Sequence, residues 1–176
     1  MFINIILPII LLVGLIGTFI YLRLKNKGKN VGVTLVMAEN DIIDYSPISS
    51  SLSLSEMLLF DEINYHRKNI NIGEVKPERE CRVWATKHTK YMISEGKASH
   101  DEAYLRRYEL FRRNFTSYGE NVAYGFSNSK SMFKAYLNSE CHRKVIEDPK
   151  FNYVGIRTLK DDKGRNYNTL IFSTYE

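Results

Sequence analysis

Residues 2–22 contain no charged side chain and consist mostly of Ile, Leu, Phe and Val. As a helix rising about 1.5 Å per residue, this run spans roughly 30 Å, the thickness of a bilayer core. Pro8, Gly14 and Gly17 would weaken a soluble helix but are frequent in membrane helices. A cleaved signal peptide is the competing reading, and it calls for a basic start, a shorter apolar core and a small-x-small cleavage site. The first basic side chain here is Arg23, and Leu22-Arg23-Leu24-Lys25 offers no such site. The expectation is a retained single-pass membrane anchor over residues 1–23, a basic stop and polar spacer over 24–53, and one folded domain over 54–176. The spacer holds a short apolar run at 31–37, which suits an edge strand, and then a Ser-rich patch.

The net charge of +5 needs locating before it is used. Residues 1–29 contain Arg23, Lys25, Lys27 and Lys29 and no acid, leaving 21 basic against 20 acidic groups in the remainder. The basic character belongs to the segment beside the apolar run. A protein that binds by neutralising phosphates needs its charge on the domain face, so nucleic acid is excluded as a partner. The same cluster, by the positive-inside rule, would place the domain on the cytosolic side. Cys81 and Cys141 do not make a disulfide framework and read as one bridge or two free thiols. Asn114-Phe115-Thr116 is a single glycosylation sequon.

Helical periodicity begins after Ser53 or Ser55, either of which can cap, with Leu59, Ile63 and His66 on one face. A second helix opens after Pro77, with Trp84, His88, Tyr91 and Met92 on its apolar side. Residues 101–113 read as a charged helix anchored by Tyr104, Leu105, Tyr108 and Phe111. The stretch from Gly119 to Gly125 reads as a short strand. One continuous helix is expected from Ser129 to Ile146, ended by Pro149. Two β-like runs, at 153–159 and 167–174, flank the turn Lys160-Asp161-Asp162-Lys163-Gly164 and predict an antiparallel hairpin. Helices followed by a terminal hairpin give an α+β class.

Two segments carry a family likeness: Gly119-Glu120-Asn121-Val122-Ala123-Tyr124-Gly125, and Tyr136-Leu137-Asn138-Ser139-Glu140-Cys141-His142-Arg143 continuing through Ile146, Pro149, Phe151, Val154 and Gly155. Asn64-x-x-Arg67 and Ser99-His100 support them. In this order they resemble the CAP superfamily of cysteine-rich secretory, antigen 5 and pathogenesis-related proteins, and its bacterial-type SCP-like branch in particular. The likeness runs from about Ser55 to Thr174. It implies a three-layer α-β-α sandwich with a small antiparallel sheet, here preceded by one transmembrane helix. It also implies a cleft in which His100 and His142 face Glu120, with Asn121, Ser139 and Glu140 lining it. Tyr136 stands where the family's Trp is usual and Cys141 where Gly is. Ser139 occupies the place of a second acid found in many eukaryotic members, which leaves open whether Glu140 turns inward to replace it. The likeness also implies export of the domain, which is common in the family, and export is the expectation here despite the charge of residues 23–29.

Two imidazoles and a carboxylate suit zinc or another divalent ion, while a hydrogen-bonded cluster that merely orders the cleft needs no cofactor at all. His88 reads as a satisfied core residue, and His66 as a cap or a solvent-facing group. The pairs Arg106-Arg107 and Arg112-Arg113 read as a solvated face with local ion pairs. Cys141 reads as a packing residue, because neighbours on a helix point about 100° apart and cannot pair Cys141 with His142. Two functions follow. The first is a membrane-anchored, non-enzymatic module that binds a lipid, metal or protein partner at the cleft. The second is a metal-assisted peptidase or esterase using Glu120 with His100 and His142. No Ser-His-Asp arrangement, Gly-x-Ser-x-Gly or phosphate loop is present, which favours the first.

The anchor is tested by alkaline carbonate extraction of the full chain. It should stay with the membrane fraction, and recovery of a chain starting between residues 18 and 40 would replace the anchor with a signal peptide.

Overall fold

A computed structural model describes residues 52–175, so the expectations for residues 1–51, including the anchor and the strand at 31–37, lie outside the described residues. No helix among the described residues is long and apolar enough to cross a membrane. In chain order the elements are α1 (Leu54–Asn69), β1 (Lys76–Pro77), α2 (Arg79–Glu95), α3 (Ala103–Phe111), β2 (Phe115–Tyr124), α4 (Ser129–Asn138), α5 (Glu140–Glu147), β3 (Tyr153–Lys160) and β4 (Asn166–Tyr175).

The hairpin β3–β4 is where the alternating runs put it, and it pairs antiparallel from Tyr153↔Ser173 to Lys160↔Asn166. Strand β2 adds antiparallel to the other side of β4, giving the order β1-β3-β4-β2. The expected short strand at Gly119 is longer than its glycine brackets, because pairing with β4 carries it back to Phe115. The sheet is not purely antiparallel: β1 runs parallel to β3, with Lys76 opposite Tyr153. Two residues ending in a proline carry no strand pattern, so this pairing had no local signal.

Alternation along β4 shows the layering. Leu170 and Phe172 enter a core with Leu59 and Ile63 of α1, Met132, Phe133 and Tyr136 of α4, and Ile146 of α5. Between them, Ile171 points the other way, to Cys81 and Ala85 of α2 and Leu110 of α3. A sheet covered on both faces explains why β4 is buried almost throughout rather than on alternate residues. The result is the expected α-β-α sandwich, with α1, α4 and α5 on one face and α2 and α3 on the other.

Buried polar side chains fix the layers to each other. Ser53 and Glu56 form a reciprocal capping box at the start of α1. Glu56 is fully buried; Arg82 of α2 reaches its capping oxygen Oε2 at 3.3 Å, and its other oxygen accepts from the Thr158 amide at 2.8 Å. The Asn64-x-x-Arg67 pair closes the segment after α1. Asn64 exchanges two 2.9 Å hydrogen bonds with the backbone of Val75. Arg67 is fully buried and donates to the carbonyls of Gly73, Ile146, Asp148 and Phe151.

Two expectations about helices are corrected. Residues 129–146 are not one helix: Ser139 is extended (φ −97°, ψ 115°) and separates α4 from α5. Its hydroxyl does not cap α5 but bonds within the cleft, as described below. Helix α3 is inverted relative to its apolar pattern. Tyr104, Leu105, Tyr108 and Phe111, expected as anchors, are exposed, and α3 docks through Arg106 and Leu110.

At Gly155 a methyl group would overlap the backbone of Cys81 and Arg82, where the start of α2 lies directly on β3. Gly73 has nothing within 4 Å. Gly155→Ala should therefore cost about 3 kcal/mol or more, while Gly73→Ala should stay within about 0.5 kcal/mol of the parent. Urea unfolding midpoints of the two variants provide the comparison.

A histidine–glutamate cleft as the candidate functional site

Successive residues of β2 face opposite layers, and the cleft is built on that alternation. Tyr118, Glu120 and Val122 face α2 and α3, whereas Gly119, Asn121 and Ala123 face α4 and α5. A side chain at Gly119 would strike Phe151 and Val145, so glycine is what lets α5 and the loop after it close on the strand. Next to it Asn121, fully buried, donates from Nδ2 to the carbonyl of His142 at 2.9 Å and ties α5 to the strand. On this edge strand His100 meets Glu120 from the α2–α3 side, and the His142 backbone meets Asn121 from the α4–α5 side.

Glu120 is the centre of the α2–α3 side. Its side chain is only 3% exposed. Arg106 grips it with two hydrogen bonds, Nε to Oε2 at 2.6 Å and Nη2 to Oε1 at 2.9 Å. The Tyr118 hydroxyl donates to Oε2, and His100 Nδ1 lies 2.8 Å from Oε1. Burial alone would push the Glu120 carboxyl up, but the hydrogen bonds from His100 and Arg106, the Arg106 charge and the Tyr118 hydroxyl outweigh it and hold it at about 2. Tyr118 is pushed the opposite way, by burial and by the charge of Glu120.

Since an ionised carboxylate only accepts, Nδ1 of His100 carries the proton and its Nε2 is left with its lone pair. His142 is half-buried, with Nδ1 2.9 Å from the Ser139 hydroxyl and its ring edge against Tyr136. Burial, and then the nearby charge of His100, lower its proton affinity.

The remaining expected site residues fall as follows. Ser139 lies in the cleft and also meets Cys141 Sγ at 3.2 Å. Glu140 does not replace a second acid; it is exposed and pairs with Lys144 at 2.6 Å, one turn along α5. Cys141 is exposed, not a packing residue, and both cysteines are free thiols. His66 pairs with Glu147 at 2.9 Å. His88 is a core residue, as expected, 2% exposed with Nε2 2.7 Å from the Ser99 carbonyl, but it is not fully satisfied, because its Nδ1 is buried without a partner among the described residues. Arg106, read as part of a solvated face, is 4% exposed and is the residue that sequence reasoning missed. Its one local signal was a charged residue at the helical position shared with Leu110. Beside it, Ala103, Tyr104, Arg107, Tyr108, Phe111 and Tyr118 line an open groove of about 530 Å³.

For a metal, the donor set is narrower than the sequence implied. Among the described residues no group of three His, Cys, Asp or Glu side chains is arranged to hold an ion. Glu120 is committed on both oxygens and sits against a guanidinium that opposes a cation. The Nε2 atoms of His100 and His142 make no hydrogen bond among the described residues, which leaves them as the uncommitted nitrogen donors of the expected set.

With this geometry in place, residues 60–174 match the sequence profile of the cysteine-rich secretory protein family, CAP. An uncharacterized Bacillus subtilis protein, YkwD, is 39% identical over 111 residues, which cover 61% of this chain and 43% of that protein. The chain thus matches less than half the length of that relative. Among solved structures, an outer surface protein of Borrelia burgdorferi gives a TM-score of 0.63 at 18% identity, covering 68% of this chain and 92% of its own. An extracellular SCP-domain protein of Bacillus anthracis gives 0.58 at 26% identity, covering 66% of this chain and 39% of its own.

Glu120 supplies a pH test. Its folded pKa of about 2 lies below the ordinary 4.5, so its stabilisation is complete above pH 4.5 and is lost as the pH falls toward 2. Glu120→Gln should lower stability near neutrality by about 3 kcal/mol. The gap to the parent should close between pH 4.5 and 2, as read from denaturant unfolding across that range.

Proposed function

This chain belongs to the cysteine-rich secretory protein (CAP) family, and from that premise we propose that it is a membrane-tethered, non-enzymatic binding module. Its cleft offers the Nε2 atoms of His100 and His142 to a divalent ion such as zinc. The observation that carries this reading is that each histidine has its Nδ1 engaged, by Glu120 and by Ser139, leaving Nε2 without a hydrogen bond among the described residues. A partner on the far ring nitrogen fixes tautomer and orientation, as it does in histidine metal sites generally. Bound there, a divalent ion would supply positive charge and open coordination positions for a lipid headgroup or protein carboxylate.

Glu120 in this reading orients His100 and is not a base. A general base needs a lone pair free to take a proton and a pKa near the working pH. Glu120 has its oxygens occupied and is held at about 2. The uncharged run at 2–22 supports a tether. Export of the domain has its support in relatives described as an outer surface protein and an extracellular protein. Protease protection in sealed vesicles decides that orientation.

The cleft is tested by calorimetric zinc titration of the full chain. One ion per chain is expected, with affinity falling as the pH drops through the histidine range. Glu120→Gln should weaken binding about 10- to 100-fold, and His100→Ala with His142→Ala should abolish it. Equal binding by that double variant, or none by the parent, removes the metal reading.

A further inference from the structure

The segment between α2 and α3 that carries His100 is gripped on both sides of that residue. Before it, the Ser99 carbonyl lies 2.7 Å from His88 Nε2. After it, the Asp101 carbonyl accepts from Arg106 Nη1 at 2.7 Å. Both gripping side chains are almost fully buried, and both also face Glu120: Arg106 through its paired hydrogen bonds, and His88 with Nε2 3.8 Å from Oε1. Glu120 in turn accepts the His100 ring. The backbone on either side of His100 and the ring itself are therefore referenced to one carboxylate.

We infer that His88 is a positioning residue of the cleft, which together with Arg106 clamps the peptide carbonyls flanking His100 and so sets where its imidazole stands. This rests on the reading of His100 as a cleft donor and extends it to a residue that touches no ligand. A carbonyl only accepts, so His88 must hold its proton on Nε2, and its Nδ1 is buried without a partner. An imidazole kept with one bare buried nitrogen is a poor choice for packing alone, where a leucine would leave nothing unsatisfied. Its one hydrogen bond is made to the residue preceding His100.

The variants that separate positioning from packing are His88→Gln and His88→Asn. A glutamine amide places its nitrogen near the former Nε2 and can donate to the Ser99 carbonyl, whereas asparagine falls short. The full chain in detergent micelles is studied by nitrogen-15 NMR of its histidines at pH 8, together with zinc titration and thermal unfolding. In the parent, His100 should be mainly the Nδ1–H tautomer, because Glu120 holds that proton. His88→Asn should shift His100 toward the Nε2–H form and weaken zinc binding by about tenfold or more, and His88→Gln should restore both to within about threefold of the parent. If His88→Asn lowers the unfolding temperature but leaves the His100 tautomer at its parent value, the residue only packs and the inference fails. It fails equally if His88→Gln recovers stability without recovering the tautomer. Should the parent bind no zinc, the metal reading falls, and the tautomer comparison still decides the role of His88.

Discussion

An ionised carboxylate sealed away from water is costly, by several kcal/mol even after relaxation, unless its lone pairs are filled by well-placed donors. Glu120 is such a group, and the side of the molecule around it is arranged to supply them. The guanidinium of Arg106 must point inward, which forces α3 to dock by that residue and to turn Tyr104, Tyr108 and Phe111 to solvent. The Tyr118 hydroxyl comes from the same face of β2, two residues away, and the His100 ring closes the last position. The groove along α3 is a consequence, because its aromatic wall is the face that the ion pair excluded from the core.

The opposite layer relies on the same economy with backbone partners in place of a second charge. Arg67 ends in four carbonyls, three of them in the stretch from α5 into the loop before β3, so a residue of α1 dictates how α5 terminates. Glu56 does the corresponding work between α1, α2 and β3. Such contacts are directional where apolar packing is not, and they select one arrangement of layers from the many that would bury similar area. A solved structure that is only 18% identical to this chain keeps the fold.

The cleft combines the two layers at the exposed edge of β2. The break at Ser139 matters here, because an unbroken helix would keep that hydroxyl in the regular i, i+3 geometry of a helix surface. In the extended conformation it becomes the partner of His142 and the neighbour of Cys141. A serine freed from capping and a glutamate locked by arginine perform one task on different histidines: each occupies Nδ1.

The sequence by itself determined what local chemistry can encode. The Ser53 cap, the alternating hairpin and the order of the family motifs all act within a few residues, and all appear where the residues imply. The uncharged run at 2–22 is equally local, although it lies outside the described residues. Only the tertiary structure decided the inward turn of Arg106, the outward turn of Glu140 and Cys141, the parallel pairing of β1 and the grip of His88 on Ser99. Arg106 reads as a surface residue until Glu120, 14 positions away, is placed beneath it. Lys76 and Pro77 are a strand only because β3 offers its edge. The physical reason is common to these cases: an ion pair or a strand edge draws its energy from a partner distant in sequence, and the cost of burying a charge falls only when that partner arrives.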